Sequence, residues 1–349
     1  MTHTDTYHRP ISYLRVSVTD RCNLRCIYCM PPEGIPLRAH DEILRFEEIE
    51  AVVRAAAGLG IHRVRLTGGE PLARLGLADL VRLLAPIPGL DDLSLTTNGT
   101  LLARYAADLK QAGLHRVNVS LDTLRPERFA QITRRGVLED ALAGIQAAYE
   151  TGLTPVKINT VLIRGLNDDE AVDLARKTLT DGWHVRFIEW MPLGGDGCTG
   201  PGDSEWNAHV VTTDETRSQI EAALGPLEPA QMGVGGGPAR YYRLPGFAGR
   251  GAPGPGAPGT IGFISPLSEH FCGACNRLRL TADGQLRPCL LSDREIDLRT
   301  PLRAGAGPDQ IREILEQAIA SKPSGHHLDE CTPGEPTGLQ NRAMAQIGG

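Results

Sequence analysis

The sequence predicts an α/β protein: an incomplete (β/α)6 barrel followed by a C-terminal α+β unit that covers the barrel opening. Three observations lead there. From residue 13 to about 190, short β-branched runs alternate with longer segments of helical period, the pattern of βα units. Several of those runs end in polar or turn-forming residues, as loops at a barrel mouth do. After residue 195 the periodicity weakens and a second, smaller unit follows.

The strands are expected near Tyr13 to Thr19, Ile61 to Thr67, Leu93 to Thr97, His115 to Leu121, Pro155 to Ile163 and His184 to Trp190. Helical stretches separate them, and in the first Phe46, Ile49, Val52 and Val53 share one face. Consecutive right-handed βα units build either a doubly wound sheet or a partial barrel. The strand ends decide: the second to fourth strands run into TGGEP, TTNG and SLD, and the sixth into Met191. The chain divides into a barrel over residues 1–240 and a C-terminal region over 241–349. That region opens with the Gly/Pro-rich stretch Gly246 to Gly259, expected to be a loop or linker. It continues through the strand-like TIGFIS, a cysteine group and a helix near Pro308 to Ala320, and ends in Gly348 and Gly349.

Of the 349 residues 41% are hydrophobic, enough for a substantial core. No apolar run approaches the length of a membrane span, so a cytoplasmic protein without a membrane partner is expected. A net charge of −6 argues against nucleic acid as a partner. Six of the eight cysteines fall in two tight groups, with Cys198 and Cys331 apart. Grouped cysteines in such a chain point to metal rather than to a disulfide scaffold.

Cys22, Cys26 and Cys29 follow the first strand in DRCNLRCIYCM. Three thiolates can hold a four-iron cluster and leave one iron open to a chelating ligand. A structural zinc site would more commonly pair two Cys-x2-Cys units. The Cys-x3-Cys-x2-Cys spacing, with aromatic Tyr28 before the last cysteine, resembles the radical S-adenosylmethionine superfamily. The resemblance implies that S-adenosylmethionine chelates the open iron and is cleaved by one electron to a 5′-deoxyadenosyl radical. It further implies that Tyr28, Gly69 of the TGGEP loop, Ser120 and Met191 contact S-adenosylmethionine.

Cys272, Cys275 and Cys289 form the second group, with the turn Ala282-Asp283-Gly284 between the last two. From this segment alone, zinc completed by a histidine such as His270 and an iron-sulfur cluster are both open. The N-terminal group favours a second cluster. Arg277 and Arg279 alternate after Cys275 and so share a face, and arginine forks bind phosphate. Arg15, Arg65 and Lys157 lie on the first, second and fifth strands and add charge from the interior.

With RLTGGEPL, LTTNG, VNVSLDTL, VKINTV, RFIEWM and FCGACNRLRL in order, the chain resembles the GTP-cyclising family of molybdenum cofactor biosynthesis. That resemblance implies two [4Fe-4S] clusters and a GTP site of Arg15, Arg65, Thr96, Lys157, Arg277 and Arg279, with the guanine at the second cluster. It implies an active-site role for the Gly348-Gly349 tail. The implied partners are a reducing donor such as flavodoxin or ferredoxin, the cyclic pyranopterin monophosphate synthase that takes the product, and a second copy in a possible homodimer. A peptide-modifying radical maturase and a non-enzymatic zinc-binding interaction protein are the alternatives.

Overall fold

The computed structural model describes residues 3–191, 206–245, 259–326 and 342–348. Residues 246–258, Cys198, Cys331 and Gly349 lie outside them. Six strands follow the sequence pattern: β1 (Tyr13–Ser17), β2 (Arg63–Thr67), β3 (Asp92–Thr97), β4 (Arg116–Ser120), β5 (Lys157–Leu162) and β6 (His184–Glu189). They pair side by side, all parallel, in an open sheet.

The helices α1 (Phe46–Gly58), α2 (Leu77–Leu84), α3 (Leu102–Gln111), α4 (Pro126–Thr133), α5 (Leu138–Glu150) and α6 (Ala171–Thr180) connect the strands. In α1, Ile49, Val52, Val53 and Ala56 are buried, the face that its sequence spacing predicts. They pack with Leu14, Val16, Val64 and Leu66, the outward set of β1 and β2, in one continuous core. With side chains alternating along each strand, the residues between these, Arg15 and Arg65 among them, point to the other face of the sheet.

The later strands extend the same sheet at both edges. β7 (Glu228–Ala230), β8 (Arg240–Arg243) and β9 (Ile261–Ile264) lie beyond β6, with β9 parallel to it. β10 (Arg277–Leu280), β11 (Gln285–Arg287) and β12 (Ile296–Asp297) lie beyond β1, with β10 parallel to β1. The β10–β11 connection is the expected hairpin. The helix anticipated near Pro308 is α7 (Pro308–Ala320), with Ile311, Leu315, Ala318 and Ile319 buried.

The parallel pairing of β10 with β1 positions the site. Cys22 lies beyond the C-terminal end of β1, whereas Cys275 precedes the N-terminal end of β10, and Tyr13 is level with Arg277. The two cysteine groups therefore sit at opposite ends of the strand row, about 15 Å apart along it at the usual rise per residue.

Candidate active site

One cavity of about 290 Å³ opens on the concave face. Cys22, Cys26 and Cys29 line it, as do Cys272, Cys275 and Cys289. So do Tyr28, Gly69, Ser120 and Met191, together with Arg15, Arg65, Thr96, Arg277 and Arg279. Lys157 is not part of this lining; its Nζ donates to the Val234 carbonyl at 3.0 Å and stands 5.7 Å from the Tyr241 ring centre.

The cysteine loop after β1 is held by backbone. Gly69 N–H donates to Thr19 O and Glu70 N–H to Arg21 O, both at 2.8 Å. A Cβ on Gly69 would lie 2.5 Å from Arg21 O, so only glycine allows this approach. The buried Glu70 carboxylate accepts from Thr97 Oγ1 at 2.7 Å, Asn98 N at 2.7 Å and Leu72 N at 3.0 Å. This ties TGGEP to the end of β3. Burial pushes the Glu70 pKa up to about 7 against those hydrogen bonds.

Two features of the cavity escaped the sequence reading. Tyr28 donates its hydroxyl to Asp122 Oδ2 at 2.7 Å, and Asp122 Oδ1 accepts from Val161 N at 2.8 Å. Burial raises Asp122 to about 6. Its signal was the SLD at the end of β4, which marks a strand end but gives no pairing. Arg186 also faces the cavity; the alternation along HVRFIE puts it on the inner face, but an arginine inside RFIEW carried no ligand signature of its own.

Cations dominate the middle of the cavity. Arg15 stands in register between Arg65 on one side and Arg279 on the other, so three guanidiniums form one row. Burial lowers Arg65 to about 10, with Arg116 and Arg186 adding repulsion, and lowers Arg279 to about 9, with Arg277 adding to it. Burial pushes Lys157 down to about 5, and Arg186, Arg116 and Arg65 push the same way. Asp92 pairs with Arg116 and offsets little of this charge. Such a set is costly unless an anion enters it. Thr96 Oγ1 and Asn159 Oδ1 are buried on the same wall without a partner among the described residues, as polar atoms awaiting a ligand would be.

The two cysteine groups differ electrically. Burial holds Cys22 and Cys29 at about 11 and about 12. Burial also raises Cys275, but Arg277 and Lys322 outweigh it and bring that thiol to about 7. Each triad suits soft thiolate ligation of iron. Among the described residues no three Cys, His, Asp or Glu side chains converge on a single metal-ion position; thiolates that each hold a different iron of one cluster need not do so.

The C-terminal segment enters the cavity. Met344 and Ala345 line it, within the short helix α8 (Met344–Ile347). Gly348 O accepts from Arg279 Nη1 at 2.8 Å. Gly348 has φ +86°, and a Cβ there would meet Thr67 Oγ1 at 2.5 Å and Ser17 Cβ at 2.9 Å. Glycine is required on both counts.

The Radical SAM superfamily profile matches residues 16–178, and the Molybdenum Cofactor Synthesis C profile matches residues 183–328. A relative described as GTP 3′,8-cyclase from Pelotomaculum thermopropionicum is 56% identical over 99% of each chain. Relatives of the same description from Heliobacterium modesticaldum and Moorella thermoacetica are 52% and 51% identical, again over 99% of each chain. Among solved structures, Streptococcus suis SuiB bound to S-adenosylmethionine matches with TM-score 0.57 at 12% identity, over 96% of this chain and 77% of that one. This last is a likeness of fold.

Proposed function

The chain belongs to the GTP 3′,8-cyclase family of the radical S-adenosylmethionine superfamily, and from that premise we propose how its cavity is divided between cofactor and substrate. It is a lyase of molybdenum cofactor biosynthesis that uses two [4Fe-4S] clusters and S-adenosylmethionine. It cyclises GTP to (8S)-3′,8-cyclo-7,8-dihydroguanosine 5′-triphosphate, releasing 5′-deoxyadenosine and methionine. Full-length identity to these relatives separates it from peptide-modifying maturases and from zinc-binding interaction proteins.

We assign the first cluster to Cys22, Cys26 and Cys29 and the second to Cys272, Cys275 and Cys289, which the fold sets at opposite ends of one cavity. When bound, the first cluster and S-adenosylmethionine supply the one-electron cleavage that starts radical chemistry on the substrate ribose. Tyr28, Gly69, Ser120 and Met191 surround the cofactor end. The Tyr28 hydroxyl is directed by Asp122, and Gly69 fixes the cysteine loop.

Arg15, Arg65, Thr96, Lys157, Arg277 and Arg279, joined by Arg186, take GTP. The triphosphate meets the cations of the middle rows, and the base lies towards Cys272, Cys275 and Cys289. Arg279 is shared between the substrate and Gly348 O, so the tail closes on the nucleotide; Gly349 follows it in sequence. The residues act by holding two carbons in reach and by excluding water from a reactive centre. We divide the chain at residue 240 because the strands before it carry the S-adenosylmethionine contacts and those after it the second triad. A flavodoxin or ferredoxin fits the one-electron reduction, and the cyclic pyranopterin monophosphate synthase fits a cyclic triphosphate product. A homodimer and a cytoplasmic location complete the reading; no helix among the described residues is long and apolar enough to cross a membrane.

The observation that carries this reading is the row of cations between the two thiol triads. Anaerobic reconstitution with S-adenosylmethionine, with and without GTP, tests it. We expect 5′-deoxyadenosine formation to depend on GTP; formation indifferent to GTP would falsify the division.

A further inference from the structure

We propose that Lys322 is the buried counter-cation of the second cluster, directed at the Cys275 sulfur and raising the cluster's reduction potential. This rests on the reading that Cys272, Cys275 and Cys289 hold that cluster.

Lys322 follows α7 and is 4% exposed. Its Nζ lies 2.7 Å from Arg277 O, 2.7 Å from Pro288 O and 3.8 Å from Cys275 Sγ. Arg277 is two residues past Cys275, and Pro288 immediately precedes Cys289. An ammonium has three donors; two of these bridge the hairpin strands beside the two cysteines, and the third points at a sulfur. Among the described residues no carboxylate pairs with Lys322, and its charged neighbours Arg277 and Arg9 are also cations. A buried ammonium without an anion is strongly unfavourable. The anions within reach are the thiolates of Cys275 and Cys289, which become permanent once iron binds them.

Hydrogen bonds to sulfur and local charge set the potential of an iron-sulfur cluster. A fixed cation favours the more negative, reduced form. Among the described residues no cation hydrogen-bonds to a sulfur of the first triad: Cys22 Sγ accepts from Leu24 N at 3.4 Å, and burial outweighs the attraction of the nearby Arg25. The two clusters therefore differ in their surroundings, and only the second should respond to Lys322.

The test uses the full chain with both clusters reconstituted anaerobically, comparing K322M and K322Q with the parent by iron counting and EPR-monitored redox titration. At a fixed solution potential, the reduced-to-oxidised ratio of the second cluster should fall about tenfold in K322M, ~59 mV for a one-electron couple. The first cluster should titrate as in the parent. K322Q retains donors for the two carbonyls but no charge, and should shift likewise. A parent-like ratio in either assembled variant, or an equal shift in both clusters, overturns the proposal. If neither neutral variant assembles the second cluster, K322R decides. Assembly there supports a need for positive charge; failure assigns Lys322 to local geometry and overturns the proposal. The ligand assignment fails separately, if Cys289→Ala retains the iron of both clusters.

Discussion

Arg342 grips Asp283 through two hydrogen bonds of 2.9 Å each, Nη1 to Oδ1 and Nη2 to Oδ2, with both residues buried. Arg342 also reaches Glu295. Asp283 sits in the β10–β11 turn, four residues after Arg279, so the pair fastens the C-terminal segment to the hairpin that carries a cavity arginine. Six residues further on, Arg279 holds Gly348 O. The tail is thus seated at two points of one rigid hairpin.

Replacing Arg342 by Met removes the first of these points. Breaking a buried ion pair costs about 3–5 kcal/mol, but Asp283 keeps Thr281 Oγ1 at 2.6 Å and Arg38 at 3.4 Å, so the loss falls on the tail. We expect more than about tenfold lower cyclisation, since misplacing a positioning element by an ångström costs on that order. Iron content and S-adenosylmethionine binding should stay at the parent level. Hydrogen exchange over residues 342–348 reads the seating directly, and unchanged protection there would refute the clamp.

Gly69→Ala tests the cofactor end. The new Cβ would fall 2.5 Å from Arg21 O and 2.8 Å from Asp20 O, so the backbone before Cys22 must move. The expected result is at least about tenfold weaker S-adenosylmethionine binding, by the same sensitivity to position, measured by equilibrium dialysis on reconstituted protein. Binding of GTP alone should survive, because the cation row lies further along the strands.

Lys157 gives a pH dependence. Its pKa in the folded protein is about 5, against ~10.4 in an unfolded chain. Between these values the unfolded chain holds a proton that the folded one lacks, so this group makes the nucleotide-free protein more stable as pH rises through that window. An entering triphosphate reverses the balance by favouring the ammonium. GTP binding near pH 7 should therefore take up to about one proton and weaken as pH rises. Calorimetry in buffers of different ionisation enthalpy measures the uptake. The difference between the parent and Lys157→Met isolates the lysine from the nucleotide's own phosphate, and equal uptake in the two would refute the assignment.

Cys289→Ala should halve the iron content of the reconstituted protein and leave S-adenosylmethionine binding in place. GTP turnover should stop. Retained cyclisation would place the substrate elsewhere.

Much of the strand-by-strand architecture was legible because the barrel strands announce themselves: β-branched runs flanked by turn residues, with charged side chains at alternate positions. The cysteine spacings were legible because ligands close in sequence need little tertiary help. Asp122 was not, since its significance is a hydrogen bond to Tyr28, 94 residues away. Lys322, two residues past the end of α7, carries no signature in the sequence. Only its burial against Arg277 O and Pro288 O distinguishes it. In the TGGEP loop the structure spends the Gly69 and Glu70 N–H groups on Thr19 and Arg21, so the close approach that Gly69 allows serves the cysteine loop.

The residues by themselves determined that this chain has two groups of three cysteines, strands with arginines at alternate positions and a family resemblance that goes with both. They did so because spacing and alternation are local properties. The relation between the triads was decided by the sheet. Pairing β10 parallel to β1 puts Cys275 at the start of a strand row whose far end carries Cys22, and places Arg279, Arg15 and Arg65 in register between them. Hydrogen-bond register joins residues more than 200 positions apart, and no local pattern encodes it.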